Sequence, residues 1–126
     1  MSTSGLLVEK SGPLSLIQDF GRFGLAHIGI TQGGPVDDYA YSWANHLLGN
    51  RVNCSAIEIT LGNACFVALQ DCHLAICGGD LNASVDGHPI ANWSDFSIKK
   101  RSKASVRNGE KWPSRLSRCK RWLQCA

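Results

Sequence analysis

The chain has 126 residues, 44% of them hydrophobic and 18% charged. That length holds one domain with a modest core, and no run approaches the roughly 18 apolar residues needed to span a bilayer. The net charge of +3 averages two unlike regions: residues 1–95 carry three basic and nine acidic side chains, net −6, and residues 96–126 carry ten basic and one acidic, net +9.

Met1-Ser2-Thr3-Ser4-Gly5 lacks the basic segment and long apolar core of a secretory leader, so the expected compartment is the cytoplasm. The six cysteines (Cys54, Cys65, Cys72, Cys77, Cys119 and Cys125) contain no Cys-x-x-Cys pair and no zinc spacing, so no metal is expected. Reduced thiols behaving as small hydrophobes are expected instead.

In chain order, Leu6-Leu7-Val8 is a short apolar run ended by the turn signal Ser11-Gly12-Pro13. Leu14, Leu16 and Ile17 form a second strand-like run that delivers Gln18 and Asp19 at its end. Five glycines follow between Gly21 and Gly34, too many for a regular element; the pair Gly33-Gly34 suggests positive φ or a close approach. A helix is expected next. Pro35 suits its first position, Asp37 and Asp38 suit its first turn, and Gly49 its stop. Val36, Ala40, Trp43, Ala44, Leu47 and Leu48 share one face, which predicts burial on the side carrying Trp43.

Several short strands come after the helix. Ala56-Ile57-Glu58-Ile59-Thr60 alternates and turns at Gly62-Asn63. Cys65–Leu69 and His73–Cys77 follow, and Asp86-Gly87 signals a hairpin between Ala83–Val85 and His88–Ile90. The pattern predicts a mainly β barrel or sandwich with one packed helix. From Lys100 the chain is basic without periodicity and reads as a tail. Its ten cations with Trp112 and Trp122 could contact phosphates and bases, but basic runs are usually solvated ends, so nucleic acid is not an expected partner.

Chemistry-bearing residues concentrate near the glycine loop. Gln18, Asp19 and Arg22 combine an amide, a carboxylate and a guanidinium at a strand end, a set that can orient a polar substrate. An Asp19–Arg22 pair that only ties down the loop is the structural alternative. His27 could serve as acid or base, although a lone loop histidine is more often structural. Asp37 either lines the same pocket or simply starts the helix. Asn45 and His46 lie toward the helix's less apolar side. Glu58, inside an apolar strand, needs a partner for its charge. No phosphate-binding Gly-x-x-x-x-Gly-Lys loop and no Gly-x-Ser-x-Gly elbow occurs.

Together, Gln18-Asp19-x-Gly21-Arg22-x-Gly24, Gly33-Gly34-Pro35-x-Asp37, Trp43-Ala44-Asn45-x-Leu47-Leu48-Gly49-Asn50 and Glu58-x-Thr60-Leu61-Gly62 resemble the biotin-dependent carboxyltransferase family, also called allophanate hydrolase subunit 2. Gly78-Gly79-Asp80-Leu81-x-Ala83 and Asp86-Gly87-x-Pro89 fit the same pattern. The resemblance covers about residues 5 to 98, a carboxyltransferase-like domain over 1–99. It implies a partial cyclophilin-like β-barrel and the role of the C component of an ATP-dependent 5-oxoprolinase. That enzyme opens 5-oxoproline to glutamate, and its A-like and B-like components would be the partners of this chain. ATP would belong to the assembled complex, and none is evident on this chain. The resemblance equally admits carboxyl transfer to urea from a biotin carrier, or a non-catalytic regulator that binds a kinase-inhibitor partner. By motif position it implies Gln18, Asp19 and Arg22 as catalytic candidates, with Asp37, Asn45 and Glu58 contacting substrate or shaping its site. Family members are far longer, and here the pattern fades at about Lys100. Residues 1–99 are therefore expected to be an N-terminal part, inactive alone, and 100–126 a basic tail, disordered or translated out of frame.

Overall fold

A computed structural model describes residues 5–107 together with the backbone of 120–125. The strands are β1 (Leu6–Lys10), β2 (Leu14–Gln18), β3 (Ala56–Thr60), β4 (Ala64–Ala68), β5 (Cys72–Gly78), β6 (Ala83–Val85), β7 (His88–Pro89), β8 (Ser94–Ile98), β9 (Lys103–Val106) and β10 (Lys120–Cys125), with helix α1 at Asp38–Leu47. They form two five-stranded sheets, ordered β1-β4-β9-β6-β7 and β2-β3-β10-β5-β8. The fold is mainly β with one packed helix, and these sheets are not closed into a barrel.

The main core lies between the sheets. Ile59 of β3, Phe66 of β4, Leu74 and Ile76 of β5, Ile98 of β8 and Val106 of β9 are all buried in one cluster. A second cluster joins Ala40, Tyr41 and Ala44 of α1 to Ala56, Ala75 and Cys77. Successive strand residues face opposite sides, so β5 sends Leu74 and Ile76 to one core and Ala75 and Cys77 to the other. Coverage of both faces explains why β5 reads as a continuous apolar run and not as an alternation. The same alternation in β3 puts Ile57 and Ile59 toward the facing sheet and Ala56 and Glu58 on the helix side.

The helix departs from the expected one in two ways. It starts at Asp38, not Pro35: Asp37 is the N-cap, its Oδ1 accepting the Ala40 N–H at 3.0 Å. Its buried face is Ala40, Tyr41, Ala44 and Asn45, whereas Trp43 is 40% exposed. Counting apolar residues alone missed the partners available to polar ones. Tyr41 donates its hydroxyl to the Cys54 carbonyl at 2.7 Å and Asn45 donates its Nδ2 to the same oxygen at 3.3 Å. Trp43 stacks on Tyr39 instead, 6.2 Å between centroids and 10° between planes.

Turns follow their residues. Asp86 (φ 48°) and Gly87 (φ 84°) make the expected β6–β7 hairpin, both with positive φ. The sheet also runs past residue 99, where the basic tail was expected to begin: β9 pairs with both β4 and β6. β10 pairs with β3 on one side and β5 on the other. The rest of the expected tail, 108–119 and 126, lies outside the described residues, as do the Trp112 and the Trp122 side chain expected to contact bases. Cys54, Cys65, Cys72 and Cys77 are thiols. Among the described residues no helix is long and apolar enough to cross a membrane.

Candidate functional site

The loop after β2 is shaped by its own short-range chemistry. Asp19 Oδ1 accepts the Gly21 N–H at 3.0 Å, a local turn that Asx side chains make readily. The Arg22 N–H donates to the Gln32 carbonyl at 2.6 Å, and the Phe20 N–H donates to Asn53 Oδ1 at 2.9 Å. Residues 20–22 are thereby laid across residues 32–34. At this crossing Gly34 has φ +90°, and a Cβ there would lie 2.7 Å from the Phe20 carbonyl oxygen. Only glycine fits such an approach without displacing backbone.

The crossing leaves a cavity of about 270 Å³ whose polar lining comprises Gln18, Asp19, Arg22, Thr31, Gln32 and Ser55, with Gly33 and Gly34 in its wall. Gln18, Asp19 and Arg22 thus come together as neighbours in space. The structural alternative of an Asp19–Arg22 pair is not what holds the loop. The ion pairs among the described residues are His73–Asp95, Lys99–Asp71 and Lys103–Glu9, and Asp19 instead secures the Gly21 amide. A guanidinium, two carboxamides and two hydroxyls around one carboxylate make a site suited to a small molecule with both carbonyl oxygens and N–H groups.

Asp37, Asn45 and Glu58 do not line this cavity. Asp37 caps the helix, Asn45 is buried under it, and Glu58, 1% exposed, accepts the Val36 N–H at Oε2, 3.4 Å. Their geometry is that of a frame: Glu58 holds the chain two residues beyond Gly34, and Asn45 holds the 51–55 loop through Cys54. His27 is exposed in a 3-10 turn, Ala26–Ile28, and does not line the cavity; His46 rests against Trp43, 5.1 Å between ring centroids. Gln32, Ser55 and Asn53 were not anticipated. Gln32 immediately precedes Gly33-Gly34, and Ser55 precedes Ala56, the register partner of Gln18. Adjacency to those positions was the available signal.

Several charges elsewhere are paired locally. Lys103 Nζ bonds Glu9 Oε1 at 2.7 Å, which holds the Glu9 carboxyl below its usual range and the Lys103 ammonium above its own. The Lys100 N–H and Lys99 depress Asp71, and the Lys103 N–H depresses Asp86. Burial raises the Tyr41 phenol and the Cys65 thiol. Among the described residues no cluster of three or more His, Cys, Asp or Glu is placed to hold a metal ion.

This two-sheet β domain with one packed helix has the fold of solved carboxylase-related structures. Residues 28–111 match the family described as carboxyltransferase domain, subdomain A and B, and the chain belongs to that family. It is 40% identical over 83 residues to the C component of 5-oxoprolinase from Haemophilus influenzae, covering 66% of this chain and 27% of that protein. It is 34% identical over 100 residues to urea amidolyase of Saccharomyces cerevisiae, covering 79% of this chain and 5% of that one. Among solved structures, TTHA0988 superposes over 99% of this chain and 24% of its own, with a TM-score of 0.87 and 27% identity. The urea carboxylase of Kluyveromyces lactis superposes over 95% of this chain and 10% of its own, with a TM-score of 0.85 and 26% identity. The chain therefore spans less than a third of the 5-oxoprolinase relatives it matches. The family match begins at Ile28, beyond Gln18, Asp19 and Arg22.

Proposed function

We propose that the chain is part of the C component of an ATP-dependent 5-oxoprolinase, working in the cytoplasm beside A-like and B-like partner components and inactive on its own. One observation carries this reading: Gln18, Asp19 and Arg22 line a single cavity with Gln32 and Ser55, in a chain 40% identical to a 5-oxoprolinase component. Such a cavity suits a lactam bearing a carboxylate. Arg22 would take the carboxylate or a developing oxyanion through paired N–H donors. The Gln18 amide would donate to the ring carbonyl, and Asp19, its orientation fixed by the Gly21 N–H, would accept the lactam N–H.

The cavity does not fit ATP. It holds one cation beside one carboxylate, and the sequence has no glycine-rich phosphate loop. In this reading ATP belongs to the assembled complex.

The test is oxoproline-stimulated ATP hydrolysis after co-expression with the partner components. In an intact relative, alanine at the positions matching Gln18 and Arg22 should reduce turnover by about 10² or more, the scale of losing an oxyanion donor. Unchanged turnover would sink the assignment. The second reading, carboxyl transfer from a biotin carrier to urea, rests on the similarity to urea amidolyase and requires urea-dependent turnover instead.

A further inference from the structure

Two larger cavities lie on the other sheet, away from the glycine crossing, and Arg107 lines both. The first, about 490 Å³, is bordered by Asp80, Asn82, Ser84, Pro89 and Ile90 as well as Arg107. The second, about 400 Å³, is bordered by Lys10, Asn63, Cys65, Ser105 and Arg107. Arg107 is exposed, and its backbone is anchored: its N–H donates to the Leu81 carbonyl at 2.9 Å. Neither Arg107 nor Lys10 takes part in the ion pairs among the described residues, which instead use Lys99, Lys103 and His73. Among the described residues, two cations outside these ion pairs therefore border hollows that share Arg107.

The opposite end of the larger hollow has a different character. The Asp80 carboxylate accepts the Asn82 N–H at 3.0 Å, and Asn82 sits at φ 51°, a left-handed conformation that asparagine adopts readily in turns. Pro89 and Ile90 supply apolar wall between the two ends, and the Ile90 N–H is tied to the Ala83 carbonyl at 2.9 Å. The volume lies in the range that encloses small organic ligands.

We propose that this is a second binding site, for a small organic anion whose charged group, phosphate or carboxylate, is held by Arg107 and Lys10 and whose body carries hydroxyl or amino donors. Arginine and lysine together favour an anion without specifying its geometry. Asn82 and Ser84 meet the donors. The site is independent of the Gln18–Arg22 cavity and of the activity proposed for it.

The test is a calorimetric titration of the full chain with glucose 6-phosphate, gluconate, inorganic phosphate and glucose. Glucose 6-phosphate or gluconate should bind with a Kd of about 1 mM or tighter, at least about tenfold tighter than inorganic phosphate or glucose, and the tighter of the two identifies the anion. Arg107→Gln and Lys10→Gln should each weaken it about tenfold, as expected for one charged hydrogen bond. Lys99→Gln, on an exposed cation bordering neither cavity, should leave it unchanged. All three residues are exposed, and circular dichroism with unchanged melting verifies folding. The proposal is overturned if neither organic anion binds, if inorganic phosphate binds as tightly as they do, or if Lys99→Gln weakens binding as much as Arg107→Gln.

Discussion

The Phe20 N–H donates to the side chain of Asn53 at 2.9 Å, across 33 positions of sequence. This single bond ties the loop carrying Gln18, Asp19 and Arg22 to the loop carrying Ser55, so two walls of one cavity are linked through it. Asn53→Ala should lower stability by about 1 kcal/mol, a fall in melting temperature of about 4 °C for a domain of this size. Asn53→Asp, which keeps the acceptor, should recover most of it. Thermal unfolding followed by circular dichroism checks both, and equal melting of Asn53→Ala and the unsubstituted chain would show the bond contributes nothing.

Glycine is required at one of the paired positions more than at the other. Gly34→Ala combines positive φ with a clash against the Phe20 carbonyl, so the crossing must open; a loss of more than about 2 kcal/mol is expected. Gly33 has φ +62° but nothing within 4 Å of a Cβ, and Gly33→Ala should cost only about 1 kcal/mol, the contribution of the conformation alone. Chemical denaturation of the two variants gives the comparison, and similar midpoints would contradict the packing at Phe20.

Helix α1 depends on the residue that precedes it. Asp37→Ala removes the acceptor of the Ala40 N–H and should cost about 1 kcal/mol, while Asp37→Ser should be nearly neutral. If Asp37 contacted ligand instead of capping the helix, Asp37→Ala would leave the denaturation midpoint unmoved.

Tyr41 and Asn45 both donate to the Cys54 carbonyl, so their effects should not add. Tyr41→Phe and Asn45→Ala are each expected to destabilise by about 1 kcal/mol or more, and the double variant should differ from their sum by at least about 0.5 kcal/mol, as for residues sharing a partner. A double-mutant cycle measured in urea tests this coupling, which strict additivity would refute.

Stability should fall at both ends of the pH range for opposite reasons. Glu9, Asp71 and Asp86 have folded pKa values depressed by hydrogen bonds from lysine side chains and backbone N–H groups. Their contribution is present above the unfolded carboxyl value of about 4 and is lost as pH falls through the lower folded values. Cys65 and Tyr41 have values raised by burial, so their contribution is present below the unfolded values and is lost as pH rises through the folded ones. Melting temperature against pH should show both declines. Asp71→Asn should soften the acid one, and an unchanged acid limb would exclude Asp71 from it.

What the sequence made legible was local. The 2-period in Ala56–Thr60, the Asp86-Gly87 turn and the helix between Asp37 and Gly49 all declare themselves through short-range rules, and the structure has them. Gln18, Asp19 and Arg22 could be grouped as neighbours because they lie close together in sequence. Gln32, Asn53 and Ser55 were missed because they join the cavity only through chain crossing and β2–β3 register, which no local pattern encodes. The helix face was misjudged for a related reason: Tyr41 and Asn45 are buried because Cys54 offers its carbonyl from beyond the helix. Strand β8, with its polar Ser94, Asp95 and Ser97, and strand β9, inside a basic run, owe their existence to neighbours already in the sheet.

The placement of β10 has a consequence for how the chain comes to be. Strands β3 and β5 are not paired with each other, and the ladder between them is filled by Lys120–Cys125. During synthesis both strands emerge well before their common neighbour, each with an open row of amide and carbonyl groups. Such rows are templates for pairing with other chains, and long-range strand pairing is slow because loop closure precedes any gain from contact. The nascent chain therefore passes through an interval in which its second sheet is split down the middle, and chaperone demand should be greatest then, before Lys120–Cys125 is available to close it.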